Sequence, residues 1–288
     1  MSAAPRDDSL VPPQVVIEFE RRARRVETSC GNGVLVWRAW GSGPPLVLAH
    51  GSHGAWSHWI RNIDALTPEW TVWAPDLPGY GESAMPPLAD QAAIADIVAA
   101  GLHQLLGPGA QADFVGFSYG GVLSAYLAAA HPDLVRRLIL VGTGGLDTPL
   151  GQVDLRRVRG LEGEARRAAI KANLLGLMLH HEDSVDELAL YLHIANGVRG
   201  CLDAAPLVLP DKLLTVLPHV TSQLDVIWGE FDRPHPVPAL QEEAIRRSHP
   251  DADFRVIAGA GHWAMYERAA DFNRTLLEML HAPPRRHS

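Results

Sequence analysis

A chain of 288 residues is long enough for one large domain carrying an insertion, and a makeup of 47% hydrophobic and 20% charged residues is that of a globular protein. A formal net charge of −8 argues against a general affinity for nucleic acid. No apolar run approaches the length of a membrane span, so the expected partner is a small molecule, with self-association left open.

The opening stretch, MSAAPRDDSLVPPQ, has neither the basic head nor the apolar core of a signal peptide and reads as a tail, as does HAPPRRHS at the other end. Arginines crowd RRARR (21–25), which reads as the solvated side of a strand or loop, with a phosphate-binding patch as the other reading. Cys30 and Cys201 lie far apart, which suits a reducing, cytoplasmic compartment better than a disulfide framework. The paired Cys and His spacings of structural zinc sites are absent.

Asn32-Gly33 marks a turn before an alternating strand, and GSGPP marks a second turn. LVLAHG (46–51) is a short continuous apolar run, the pattern of a strand buried on both faces. WSHWIRNIDAL (56–66) has helical spacing and WTVWAPD (70–76) is a strand again. LADQAAIADIVAAGLHQLLG (88–107) reads as a long amphipathic helix closed by Gly107-Pro108. The strand ADFVGF (112–117), a helix after Ser118 and the strand RLILVG (137–142) follow. From 144 to 218 the pattern turns helical and offers no strand of this kind. The alternation then resumes with LDVIWGE (224–230), ALQEEAIRRSH (239–249), FRVIAG (254–259) and DFNRTLLEML (271–280).

Regular alternation of strand and helix predicts an α/β fold: a mostly parallel central sheet with helices on both faces, joined by right-handed crossovers. The core is expected over 1–143 and 219–288, with 144–218 inserted as a helical lid over the strand ends.

Chemistry concentrates at VGFSYGGV (115–122), where strand, Gly-x-Ser-x-Gly and helix follow one another. Gly116 and Gly120 flank Ser118 so that the backbone can turn sharply enough to present its hydroxyl. A serine nucleophile needs a base, and the base needs a carboxylate to hold its tautomer. In an open α/β sheet both belong after later strands, where Asp232 follows LDVIWGE and His262 follows FRVIAG. The developing oxyanion needs two N–H donors. Tyr119, directly after the serine, and Ser52, in the loop after LVLAHG, are the candidates. Asp147, just after the strand RLILVG, is the alternative acid, ahead of Asp225 and Glu230.

The segments LVLAHG, APDLPGYGES, VGFSYGG, VIWGEFD and GAGHW together make the chain similar to the α/β-hydrolase superfamily over nearly its whole length. The resemblance implies a serine hydrolase with Ser118, Asp232 and His262 as its triad and the Ser52 and Tyr119 N–H groups as its oxyanion hole. His50 and Gly51 are then turn residues before that hole, and Asp76 is a turn anchor. Neither cofactor nor metal is implied. Metal binding at His50, His53 and His58, or at HHED (180–183), is set aside as turn, first-helix and solvated helix-end residues. Trp56, Trp59 and Trp228 are expected in the core, and Trp263 as a wall of the pocket. Leu174, Leu177, Met178 and Leu179 form an apolar stripe that packs the insertion onto the sheet and contributes to the acyl pocket.

The leading expectation is hydrolysis of an ester, lactone or thioester through an acyl-enzyme. The tail GHWAMYERAADFNRTLLEML is similar to hydrolases that cut carbon–carbon bonds in aromatic ring-fission products, although those carry a longer glycine-rich segment where this chain has HGSHGAWSHW. A third reading is a ligand receptor that keeps the triad with little turnover. Related enzymes that open carbon–halogen bonds or epoxides use aspartate where this chain has Ser118.

Overall fold

The computed structural model describes residues 10–283 and 285. Eight strands form one sheet: β1 (Arg24–Cys30), β2 (Gly33–Trp40), β3 (Pro45–Ala49), β4 (Thr71–Pro75), β5 (Ala112–Phe117), β6 (Val135–Val141), β7 (Gln223–Gly229) and β8 (Asp253–Ile257). Their order is β1-β2-β4-β3-β5-β6-β7-β8. β1 pairs antiparallel with β2 and β2 with β4, and every later pairing is parallel. The helices are α1 (Gln14–Arg22), α2 (Ile63–Leu66), α3 (Gln91–Leu106), α4 (Tyr119–Ala130), α5 (Gly163–Asn173), α6 (Glu187–Val198), α7 (Ala205–Val208), α8 (Lys212–Val216), α9 (Pro238–Arg246), α10 (Ala264–Glu267) and α11 (Ala269–His281). α5 to α8 all lie in the connection from β6 to β7.

The strand period of two divides the core. In β5 and β6, Phe114, Leu138 and Leu140 pack on one face with α3 and α4, while Val115, Phe117, Ile139 and Val141 pack on the other with α1 and α11. All six residues of β5 are buried, which is why it reads in sequence as an apolar run; its one charge, Asp113, is buried against Arg136.

Three local expectations change. The helix expected over 56–66 is a 3-10 turn, Trp56–Trp59, followed by the one-turn α2. Its large residues Trp56, Trp59, Ile60 and Ile63 are all buried, so packing rather than helical continuity decides the path. RRARR spans the end of α1, which was not expected, and the exposed start of β1, which fits the solvated strand expected there. There Arg22 pairs with Asp64 at 3.0 Å and Arg25 with Glu82 at 3.2 Å, on the solvated surface. At the far end Arg285 pairs with the buried Asp225 and donates its backbone N–H to Gln223, so it is held to the sheet rather than loose. Residues 1–9 of the expected N-terminal tail, with 284 and 286–288, lie outside the described residues.

Asp76, just past β4, anchors the turns that frame the sheet's carboxyl edge. Its Oδ2 accepts from Arg38 Nη1 at 2.9 Å and from the Glu82 N–H at 3.0 Å, and its Oδ1 accepts from the Trp56 N–H at 3.0 Å. Arg38 and Asp76 are both buried. Replacing Asp76 by alanine leaves Arg38 Nη1 and two backbone N–H groups short of an acceptor, although the guanidinium keeps Glu20 and Glu82. Unfolding in urea should show a loss of about 3–5 kcal/mol; a change below about 1 kcal/mol would mean that water replaces the carboxylate.

Candidate active site

β5 ends at Phe117 and α4 begins at Tyr119, so the chain reverses through Ser118 alone. A Cβ on Gly116 would lie 2.5 Å from Gly121 Cα, and one on Gly120 would lie 2.4 Å from the His50 carbonyl oxygen. Backbones this close exclude any side chain at either position. Ser118 itself sits at φ 52°, ψ −120°, a region that costs an L-residue roughly 1–3 kcal/mol. The strain is held by an N–H bond from Ser118 to the Val141 carbonyl at 2.9 Å.

His262 and Asp232 meet at the same edge. His262 Nδ1 lies 2.7 Å from Asp232 Oδ2, and both residues are buried. Asp232 Oδ1 accepts the backbone N–H of His235 at 3.0 Å, so the carboxylate is held from both sides. Asp147 is not brought to this cluster. It is exposed, at φ 53°, and its N–H donates to the Pro210 carbonyl. Asp225 is engaged with Arg285 near the opposite end of β7, and Glu230 accepts the Gly259 N–H at 2.8 Å.

Ser118, His262, Ser52, Tyr119 and Gly51 all line one cavity of about 650 Å³ at the carboxyl ends of the strands. Its far wall comes from the β6–β7 insertion, including Leu150, Leu155, Leu177, Met178 and Val208. Trp263 also lines it, with its indole N–H donating to the His58 carbonyl at 3.0 Å. Leu174 and Leu179 are buried with the core instead. His50 stands behind the cavity: its Nε2 accepts the Leu77 N–H at 2.9 Å, which leaves Nδ1–H to donate to the Gly51 carbonyl at 2.7 Å. His180 and His181 give their backbone N–H groups to Glu267, which also accepts from the Gly261 N–H and so ties the loop before His262 to the insertion.

Four further histidines line the cavity: His53 and His58, which the sequence reading set aside as residues in or near the first helix, and His193 and His235, which it missed. Neither of the missed two lies in a motif, and both belong to elements that reach the site only through tertiary packing. Burial pushes the His58 ring well below its ordinary range, with the neighbouring histidines adding to the effect, and burial lowers His193 as well. Burial also takes His50 and His235 down to about 4.

Residues 44–196 match the family described as the alpha/beta hydrolase fold. A 2-hydroxymuconate semialdehyde hydrolase from Pseudomonas sp. is 33% identical over 81% of this chain and 85% of its own. A 2-hydroxy-6-oxononadienedioate/2-hydroxy-6-oxononatrienedioate hydrolase from Burkholderia vietnamiensis is 30% identical over 82% and 86%. Among solved structures, a thermophilic esterase from Thermogutta terrifontis aligns with a TM-score of 0.68 at 25% identity, over 90% of this chain and 98% of that one. The chain belongs to the α/β-hydrolase family and is a hydrolase.

The buried neutral rings make stability depend on pH. An unfolded chain protonates His50 and His235 below about pH 6.5, whereas the folded chain does so only near 4. Their contribution is therefore complete above 6.5 and is lost as pH falls towards 4, on the order of 3 kcal/mol for each ring. The melting temperature should drop across that window, and less steeply in His235→Phe. Parallel pH profiles for the two proteins would mean that His235 is charged in the fold.

Proposed function

We propose that the protein is a serine hydrolase that splits uncharged carboxylic esters through an acyl-enzyme on Ser118. The observation that carries the reading is the 2.7 Å contact between His262 Nδ1 and Asp232 Oδ2, in a cavity that His262 shares with a strained, glycine-flanked serine. With Nδ1–H held by the carboxylate, the neutral ring keeps its one lone pair at Nε2. That nitrogen takes the Ser118 proton as the oxygen attacks the ester carbonyl carbon. The tetrahedral oxyanion is held by the N–H groups of Ser52 and Tyr119. Tyr119 opens α4, so its N–H has no acceptor within the helix. His262 then protonates the leaving alcohol, and a water, deprotonated by the same ring, releases the acid. Asp232 stays ionised and keeps the ring in one tautomer. His50, Gly51, Gly116 and Gly120 shape the turns, and residues 144–218 act as the lid. Cys30 and Cys201 are unpaired, which fits a cytoplasmic setting.

The charge of the cavity favours esters with a neutral acyl group. Among the described residues that line it there is no Arg or Lys, and Asp203, exposed on the insertion, is the one carboxylate. The second reading is carbon–carbon hydrolysis, favoured by the 30–33% identity to the two bacterial relatives. In that reaction His262 would protonate a carbanion instead of an alkoxide. A dienedioate carries two carboxylates, however, and burying one beside neutral imidazoles without a cation is costly.

Ser118→Ala should abolish hydrolysis of p-nitrophenyl esters while leaving the melting curve unchanged; retention of more than a few per cent of the rate would remove Ser118 from the mechanism. Asp232→Asn should lower kcat by roughly 10³ or more, and Asp147→Asn by less than about tenfold. The reverse ranking would move the acid to the earlier strand.

On acyl chains of equal length, kcat/KM for an alkyl-terminated ester should exceed that for a carboxylate-terminated one by at least roughly tenfold. Equal values, or faster turnover of a ring-fission dioate, would favour the carbon–carbon reading.

A further inference from the structure

Beside the proposed base stands an imidazole that the hydrolytic mechanism does not use. His235 is 6% exposed, and both of its ring nitrogens are buried without a hydrogen-bond partner. Buried polar atoms in folded proteins nearly always have a partner, so this ring asks for one. Its Nδ1 lies 3.7 Å from Asp232 Oδ1, too far for a hydrogen bond. On the other side of the same carboxylate, His262 Nδ1 is 2.7 Å from Oδ2. The two imidazoles are nearly parallel, at 21° and 6.1 Å between centroids. One ligand atom from each of Asp232, His235 and His262 falls within a 4.8 Å group.

We infer that Asp232, His235 and His262 form a site for a borderline transition-metal dication, with Zn²⁺ its first candidate, and that filling it switches hydrolysis off. Zn²⁺ bonds to nitrogen and oxygen at about 2.0–2.1 Å, so tetrahedral ligand atoms stand about 3.3 Å apart. The 2.7 Å from His262 Nδ1 to Asp232 Oδ2 and the 3.7 Å from His235 Nδ1 to Asp232 Oδ1 bracket that value, and with all three ligand atoms within 4.8 Å of one another, side-chain adjustments of roughly an ångström would seat the ion. The carboxylate is already aimed by the His235 backbone N–H, in a turn stiffened by Pro234 and Pro236. Two imidazoles and one carboxylate suit Zn²⁺, Ni²⁺ or Cu²⁺ and are a poor set for Mg²⁺ or Ca²⁺.

The inhibitory consequence rests on the reading of His262 as the base. A neutral imidazole has a single in-plane lone pair. When the ion takes it at Nδ1, the proton there leaves to solvent and Nε2 takes one up, so the ring stays neutral. Nε2 is then an N–H donor and cannot accept the Ser118 proton. The metal would act as a reversible brake, displacing nothing but protons and water.

Two arms test the site. In metal-free buffer, micromolar ZnCl₂ should cut wild-type ester hydrolysis at least roughly tenfold, with recovery on adding EDTA, while MgCl₂ has no effect. His235→Phe and His235→Leu, each measured against its own uninhibited rate, should lose less than about half their activity at the same Zn²⁺ concentration. If either folded variant is inhibited as strongly as wild type, the ion acts elsewhere and the site is overturned. The second arm needs no turnover: Co²⁺ added to Ser118→Ala should develop the visible bands of a tetrahedral ion, and Ser118→Ala/His235→Phe should not. Absence of the bands in Ser118→Ala overturns the site. A wild-type protein without esterase activity that still gives them would overturn the hydrolase reading and leave the metal site standing.

Discussion

The close approach of three backbone segments at the carboxyl end of β5 is the constraint on which the site depends. The chain must leave the sheet and enter α4 within one residue, while the end of β3 passes directly alongside. Spaces of 2.4–2.5 Å around Gly116 and Gly120 leave room for backbone alone. Because the reversal is so tight, the residue at its apex is driven to φ 52°. That apex is Ser118, and the same geometry turns its side chain into the cavity rather than the core. Packing of β5 on both faces provides the rigidity against which this strain is stored.

Electrostatics complete what packing begins. On one flank the Arg38–Asp76 pair uses every oxygen of its carboxylate to hold turns, including the one that starts at Trp56 and follows the Ser52 loop. On the other flank Asp232 meets His262 and the His235 N–H. Between them the cavity is lined by histidines that burial keeps neutral. The result is a site whose buried charge is concentrated at one carboxylate beneath the ring it orients, with mostly apolar walls, and the exposed Asp203, supplied by the β6–β7 connection. A cavity of this kind disfavours a second anion and accommodates an uncharged acyl chain.

Much of this architecture was legible in the sequence, for reasons that differ by element. Strands buried on both faces, such as β5 and β7, are apolar at their buried positions but for one ion-paired aspartate each, Asp113 and Asp225, so they stand out as short runs bounded by turns. The Gly-x-Ser-x-Gly spacing is legible because the turn itself excludes a side chain at Gly116, which faces Gly121, while Gly120 is excluded by the carbonyls at the end of β3. Asp232 and His262 were found by their positions after the last two strands, since the strand order carries them to one edge. Less visible were α1, whose four apolar residues lie close together in a short segment ending in arginines, and β1, whose apolar positions are few. The helix over 56–66 was misjudged because its tryptophans follow the shape of the core rather than a helical stripe.

Local sequence thus determined where the chain turns, which strands lie inside, and that a serine stands at a strained reversal, because those features depend on sterics and hydrophobic period over a few residues. Tertiary structure decided between the two carboxylates, Asp232 first and Asp147 as its alternative, that the sequence offered to His262. Asp232 and Asp147 both follow strands, and only the packed sheet turns one inward and leaves the other in solvent. It also decided that His58, His193 and His235 share a cavity with Ser118, since they arrive from the loop after β3, from α6 and from the turn after β7. Side chains far apart in the chain acquire common surroundings, and hence common charge states, only when the sheet and the insertion close over them.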